Sequence, residues 1–428
     1  MNKSNCLIIN YFNMKKKHFI LSLLILAVGS LIIIQSCEKE PENPVLETMV
    51  AGEIDLNAAA APVNVPVDPT ITATFNVEID ATTATSANIT LTQQYDGANI
   101  PITISVSGKT ITIAPVDKLG NGALYQLKLG SGIMSVDALA LTELTRSFTT
   151  VGTFVPSGVI AHWNFEGNAQ DVVGNFNPTA NQVVAITYTP SRNTAAGTAA
   201  TFDGDVSIIE IPNGDQLINS SDLTLSFWVK TNSEGHSTGH FVMGLGAFYG
   251  LQYEIFGGYD GSKFAISYEI PGEDGVSEDM WFPSEATDNT TGGWQGWDFA
   301  KSVQSADMIA MLKDNWLHVV YTFDGSKKAG TLYFNGEKMK SFDFNLWPDE
   351  DAKRNVTGVK YRGMEPDVKN ELAFGFIHSR GGTLWDSEPW GGYDFPDANH
   401  FKGQLDDVRF FHKVLTSTEI QLMYDSEK

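Results

Sequence analysis

At 428 residues, with 42% hydrophobic and 11% aromatic side chains, the chain is long enough for two or three domains with packed cores, and its composition excludes a disordered protein. Its 28 basic residues face 51 acidic ones, a formal charge of −23; every acidic residue lies after Cys37, whereas Lys3, Lys15, Lys16 and Lys17 lie before it. The remainder therefore carries −27, 24 basic residues against 51 acidic ones, which repels phosphate backbones, excludes nucleic acid as a partner and disfavours sulfated or uronate-rich polymers. Cys6 and Cys37 both precede the periodic part of the chain, so neither a disulfide nor a thiolate metal site is expected inside the folded domains.

The chain opens on an address. Lys15 to Lys17 form a basic start, Phe19 to Ile34 is a largely apolar run of 16 residues, and the small Ser36 precedes Cys37. That run is short for a membrane span and has the layout of an export signal. Everything the signal needs follows Met14, which makes Met14 a candidate start. Ile34-Gln35-Ser36-Cys37 resembles a lipobox, and Glu38-Lys39-Glu40-Pro41-Glu42 resembles the acidic tether of Bacteroidetes-type surface lipoproteins. The resemblance implies a signal over 1–37, lipid on Cys37, a tether over 38–53 and an outer-membrane protein facing the cell exterior. Its expected partners are the membrane, through that lipid, and an outer-membrane transport complex.

From 54 to 152 short alternating runs follow one another: Ile71 to Ile79, Asn88 to Gln94, Ile102 to Val106, Lys109 to Val116, Tyr125 to Ile133 and Arg146 to Val151. Asp96-Gly97, Ser107-Gly108 and Gly120-Asn121-Gly122 supply turns between them. Six or seven strands in about a hundred residues predict an Ig-like β-sandwich. The opening PVNVPVDPTITATFN and the closing RSFTT resemble the bacterial Ig-like domain of surface-layer and adhesin proteins. That resemblance implies a stiff spacer.

From 157 to 428 the pattern is again β. Leu223, Leu225, Phe227 and Val229 fall on one face of a strand, and Leu317, Val319, Tyr321 and Phe323 repeat the alternation. Trp228 falls on the second face, where it either lines a covered surface or stands partly exposed. Asn335-Gly336 predicts a hairpin turn, and Thr416 with Glu419 a capping box opening a short helix to about Tyr424. The phrases VIAHWNFEGNAQDVVGN, TAATFDGDVSIIEIPN, DLTLSFWVK, WLHVVYTFDGSKKAGTLYFNGEKM, ELAFGF and FKGQLDDVRFFHKVLTSTEIQLMY, in this order, resemble a laminin-G-like/concanavalin A-like jelly roll. The fold class expected is thus all-β, an Ig-like sandwich followed by a jelly-roll sandwich.

All nine tryptophans lie in this second segment. Trp163, Trp228 and Trp316 fall in the strand pattern and read as core. The other six sit in three insertions. The first, between strand FAISYEI and strand WLHVVYTF, carries Trp281, Trp294 and Trp297 among Asp279, Asp288, Asn289, Gln295 and Asp298, and ends in a helical piece, SADMIAML. The second begins at Trp347. The third carries Trp385 and Trp390 beside Arg380, Asp386 and Tyr393. Long aromatic-rich insertions in a compact domain point to function. Aromatic faces stack on the C–H faces of sugar rings while polar neighbours bond the rim hydroxyls. The glycan site expected is therefore Trp281, Trp294, Trp297, Trp385, Trp390, Tyr393, Arg380 and Asp298. Each ring has a competing use as a pin for its own loop, Trp347 above all.

Catalysis finds less support. Retaining glycosidases need two carboxylates about 5 Å apart, and the laminarinase-like relatives set theirs on one strand as E-x-D-x-x-E, a run absent here. A binding protein with no catalytic residues is expected; a protein-binding adhesin, or a hydrolase or lyase whose carboxylates meet from separate strands, are the alternatives. His236 and His240 lack a third ligand nearby in sequence, which argues against zinc, and His318 reads as a structural hydrogen-bonder. The jelly-roll resemblance implies one structural Ca²⁺ between first and last strands, here on Glu166, Asp171 and Asp406, with Asp406 preferred to Asp407 because strand neighbours face opposite ways.

Overall fold

The computed structural model describes residues 40–283 and 297–428. Its first domain is a sandwich of two antiparallel sheets. One has the order β2-β1-β3-β7-β6, built from β1 (Leu46–Ala51), β2 (Ile54–Asp55), β3 (Ile71–Phe75), β6 (Ile102–Ser107) and β7 (Thr110–Pro115). The other has the order β5-β4-β8-β9, from β4 (Ile89–Gln93), β5 (Asn99–Ile100), β8 (Leu124–Leu129) and β9 (Leu144–Thr149). Ile71, Ala73, Phe75, Ile111, Ile113, Tyr125 and Leu127 alternate inward and close its core. The domain begins earlier than the local pattern indicated. Residues 46–51, read as tether, pair with β3 in register Met49↔Ala73 and bury Met49 and Ala51. That strand is held by a partner more than twenty residues away, which local alternation does not reveal.

The second domain is a jelly roll. Its nine-stranded sheet runs β12-β13-β26-β15-β21-β22-β23-β20 with β10 also on β26. The strands are β10 (Val159–Trp163), β12 (Thr187–Pro190), β13 (Thr198–Asp203), β15 (Asp222–Thr231), β20 (Trp297–Ala300), β21 (Leu317–Asp324), β22 (Ala329–Phe334), β23 (Glu337–Asp343) and β26 (Lys402–Phe411). The facing sheet runs β11-β14-β25-β16-β17-β18-β19, with β24 also on β18. Its strands are β11 (Val183–Val184), β14 (Ile208–Ile211), β16 (His240–Gly244), β17 (Leu251–Ile255), β18 (Ser262–Glu269), β19 (Val276–Phe282), β24 (Gly358–Val359) and β25 (Leu372–Phe374). Between them Trp163, Phe227, Tyr253, Phe264, Tyr321 and Phe374 form one core. Asn335 and Gly336, both at positive φ, make the turn between β22 and β23 that their sequence called for. Among the described residues the domain also has three α-helices, α1 (Asp215–Ile218), α2 (Ser305–Leu312) and α3 (Ser417–Glu427). The capping box at α3 is present: Thr416 Oγ1 accepts from the Glu419 N–H at 3.1 Å, and Glu419 Oε2 accepts from the Thr416 N–H at 2.8 Å.

The outer face of the nine-stranded sheet is occupied. Ile420 and Met423 of α3 cluster with Val320, Phe411 and Leu415, and this layer is continuous with the Ig-like core. Phe154, in the link between the domains, is buried, packs 5.0 Å from the Tyr95 ring, and donates its N–H to Ser426 Oγ at 2.9 Å. Trp228 lies in this covered layer, stacked on His318 at 5.0 Å. The other outer face of the sandwich, that of the eight-stranded sheet, therefore points away from the Ig-like domain.

Candidate functional site

Alternation sets what this free face carries. Leu251, Tyr253 and Ile255 of β17, Phe264, Ile266 and Tyr268 of β18, and Met280 and Phe282 of β19 enter the core, so Gln252, Glu254, Lys263, Ala265, Asp279 and Trp281 lie on the opposite side. Cross-strand register then lines up Phe241↔Glu254, Glu254↔Lys263 and Lys263↔Trp281 as one row from β16 to β19. On the β14, β25 and β16 side the third insertion forms a cap over Ile208, Ala373 and Phe241. The cap is tied down where the Phe241 N–H bonds the Asn399 carbonyl and the Asn399 N–H bonds the Trp390 carbonyl.

Two tryptophans stand half-exposed at the ends of the row, Trp281 at 49% and Trp390 at 41%. Both are held. The Lys263 ammonium lies 5.1 Å over the Trp281 ring, Phe256 packs 5.1 Å from it, and Lys340 Nζ donates to the Trp281 carbonyl at 2.9 Å. Trp390 rests edge-on against Phe241 at 6.1 Å and beside Trp385 at 6.0 Å. Between them Lys263 Nζ is 3.8 Å from Glu254 and 3.4 Å from Asp279, and Gln252 Nε2 donates to Glu254 Oε2 at 3.0 Å. Burial pushes the Glu254 carboxyl above the usual carboxylate range, against the pull of Lys263. Burial also lowers Lys340 to about 8. The row thus offers fixed aromatic plates with carboxylate and amide acceptors between them.

The structure redistributes the residues that the sequence had grouped. Trp281 and Trp390 share the free face. Trp385 does not: it is 8% exposed and forms a small core with Phe376, Ile377 and Ala398. Arg380 is partly exposed but engaged, by the buried Glu210 at 2.6 Å and by the Asn181 carbonyl at 2.7 Å, so serving a sugar rim would cost it these bonds. The Tyr393 hydroxyl donates to the Val206 carbonyl at 2.5 Å, its ring packs edge-on against Phe376, and burial raises it to about 12. Asp298 belongs to the other sheet, on β20, where it accepts from Ser341 Oγ. Trp294 lies outside the described residues, as does the side chain of Trp297. Trp347 is buried, stacked on Phe344 at 4.5 Å, in the pinning role. Gln252, Glu254, Lys263 and Phe256 were not singled out from the sequence. The available signal was polar residues alternating with core residues in LQYEI and SKFAISYE.

Glu166, Asp171 and Asp406 do not converge into a calcium site. Asp171 accepts four backbone N–H groups, from His162, Val173, Asn175 and Phe176, and so organises a turn. Glu166 accepts from the Thr198 N–H. Asp406 faces a guanidinium, with Arg192 Nη1 at 2.7 Å, and Ser191 Oγ bonds it too. Asp171 and Asp406 are thus taken up by protein donors, which leaves the exposed Glu166 as the one carboxylate of the three open to a cation, and a lone carboxylate does not fit a Ca²⁺ ion. Among the described residues, no group of three or more His, Cys, Asp or Glu could hold a metal ion. The strand rule used to separate Asp406 from Asp407 fails as well. A bulge opposite Phe227 puts Asp407 at φ 47, and both carboxylates reach Arg192. His240 is likewise engaged, accepting the Lys402 N–H at Nδ1 and meeting Tyr259 Oη at Nε2, 3.0 Å away.

The two layers, their order and the covered joint define a two-domain, all-β protein. Residues 54–150 match the bacterial Ig-like domain, and residues 202–372 match the concanavalin A-like lectin/glucanases superfamily, so the chain carries these two domains in that order. Similar solved structures include the binding domain of Paraclostridial mosquitocidal protein 1, with 14% identity over 63% of this chain and 52% of that one, TM-score 0.41. Another is the botulinum neurotoxin type G receptor-binding domain, with 13% identity over 63% and 51%, TM-score 0.37. A third is domain 4 of AbnA, an extracellular arabinanase from Geobacillus stearothermophilus in complex with arabinotriose, with 22% identity over 62% and 98%, TM-score 0.34. The chain spans about half the length of the two toxin domains. Curated proteins give no match.

Proposed function

We propose that the chain is a surface lipoprotein whose concanavalin A-like domain binds glycan across β16 to β19. The observation that carries this reading is the pair of half-exposed, immobilised tryptophans at the ends of one polar cross-strand row. β16 and β19 stand three strand spacings apart, about 14 Å, a span suited to an oligosaccharide rather than a single ring. Rigid plates lose little freedom on binding, so more of the stacking energy is kept as affinity. A polar cleft of about 500 Å³ on the nine-stranded sheet, lined by Thr189, Lys230, Asp314 and Gln404, offers no exposed ring and fits stacking less well.

Trp281→Ala and Trp390→Ala should each weaken binding to a glycan-array hit by about 1–3 kcal/mol, by analogy with base stacking, while the melt hardly moves. Trp385→Ala should do the reverse, costing about 3 kcal/mol of stability by emptying the small core under the cap. Unchanged affinity in both Trp281→Ala and Trp390→Ala would reject the site.

One observation favours a second reading. Glu254 and Asp279 lie 3.8 Å and 3.4 Å from one ammonium, so at most about 7 Å from each other, near the range of a glycosidase pair. Lys263, however, fills the space between them where a glycosidic oxygen would have to sit, which favours binding over hydrolysis. A polysaccharide panel read for new reducing ends separates the two.

Lipid on Cys37 gives the domain pair its place on the outer membrane, and an outer-membrane transport complex is the partner class such a placement suits. Cys37→Ala should move the protein from the membrane to the soluble fraction. A variant that survives an alkaline wash on the membrane would refute the anchor.

A further inference from the structure

The row also bears on which glycans it accepts, an inference that rests on the glycan reading. Lys263 is its single cation, and it stands between two carboxylates. Elsewhere on this face Glu210 pairs with Arg380 and Glu269 with Lys360. Arg362 is engaged by Ser267 Oγ and by the Phe248 carbonyl, beyond the row. Asp279 is the more exposed member of the triad, its side chain 37% accessible against 16% for Lys263 and 15% for Glu254. A ligand lying between the plates therefore meets a carboxylate first and an ammonium already engaged. Gln252 spends an amide N–H on Glu254 as well. The groups left over are mainly acceptors.

We propose that the row selects glycans that present hydrogen-bond donors and carry no anionic group, with Asp279 as the selecting residue. Hydroxyl-rich neutral sugars and amine-bearing sugars satisfy its oxygens. A uronate or a sulfate brings a third anion against Asp279 and Glu254, with the one Lys263 ammonium to balance them, and uncompensated charge in a partly desolvated site is costly. An amine-bearing sugar completes the charge of the triad, so its advantage over the neutral counterpart is largest at low salt.

The test is an array of neutral, amine-bearing, uronate and sulfated oligosaccharides, probed with the soluble chain lacking residues 1–37 and with three variants of it. Binding is expected among neutral and amine-bearing probes and not among acidic ones. Asp279→Lys, at an exposed position and with its melt checked, is expected to weaken the neutral hits at least tenfold and to admit uronates. A uronate or sulfated probe that binds the unaltered chain as tightly as the best neutral probe, and is lost in Trp281→Ala, overturns the selectivity while leaving the glycan site standing. Acidic binding that persists in both Trp281→Ala and Trp390→Ala overturns the placement of the site. No binding to any probe overturns the glycan reading itself, and this inference with it.

Discussion

Between pH 7.5 and pH 5 the stability gap separating the unaltered protein from a His318→Gln variant is expected to close by about 2 kcal/mol, and His240→Gln should behave alike. Both histidines are buried, and burial lowers each to about 3 from an ordinary 6.5. For His318 the Arg409 and Arg192 guanidiniums add to the effect of burial, and Asp407 opposes it. For His240 the stacked His236 ring and Lys402 add to it, and Asp314 opposes it. The sign follows from proton counts. Below 6.5 the unfolded chain takes up a proton that the folded chain refuses, so stability is full above 6.5 and is lost as the pH falls toward 3. At pH 5 this amounts to about 2 kcal/mol per site and about 4 for the two together. Glutamine cannot titrate, and its amide can replace the bond to Ser226 Oγ or Tyr259 Oη. Burial also pushes up Glu254 and Glu278, which works in the opposite direction, but those terms cancel in the difference between the two proteins. Denaturant melts at the two pH values supply the measurement. A gap that stays constant would mean that these rings are not held neutral.

The second large effect is expected at the joint between the domains. Arg409 is buried, bonding Glu427 Oε1 at 2.5 Å and Asp407 Oδ1 at 2.8 Å. Glu427 also accepts the Trp228 indole N–H at 2.7 Å, and Arg192 Nε reaches the Glu427 carbonyl at 2.8 Å. These bonds fix the last turn of α3, the helix whose apolar side joins the Ig-like core. Arg409→Met keeps much of the volume but takes from Glu427 its nearer cation and from Asp407 one of two, leaving both buried carboxylates to Arg192, which lies 2.5 Å from Asp407 and 3.8 Å from Glu427; the loss is about 3 kcal/mol. For a domain of this size that lowers the midpoint by about 10 °C. The double variant Arg409→Met with Glu427→Gln should recover part of the loss, because one stranded charge is removed. Calorimetry decides: a midpoint within about 2 °C of the unaltered protein would show that the cluster does not secure the helix. Because α3 also carries the contact with the first domain, the variant is further expected to split the melt into two transitions.

Much of this protein is written locally. Two-residue periodicity fixes the strands of both sandwiches and their inward faces, as at Leu223, Leu225, Phe227 and Val229. Asn335-Gly336 specifies a hairpin turn because both residues tolerate positive φ. Thr416 and Glu419 start a helix because each supplies the bond the other's backbone lacks. Such features depend on neighbours a few residues away, so composition and spacing reveal them. The site does not work in this way. Trp385 and Trp390 are five residues apart in the same polar setting, yet the path of the cap over β16 buries one and leaves the other half-exposed. Arg380 looked free until the fold set it against Glu210, 170 positions earlier. Glu254, Lys263 and Trp281 meet only because antiparallel register lays three strands side by side. One bulged residue turned Asp406 and Asp407 toward the same arginine and took Asp406 from the calcium site. The sequence by itself determined what most segments become, though not 46–51 and 276–282, read as tether and insertion, which are strands; the tertiary structure alone decided which side chains stay exposed and which charges meet, because both depend on pairings between residues far apart in the chain.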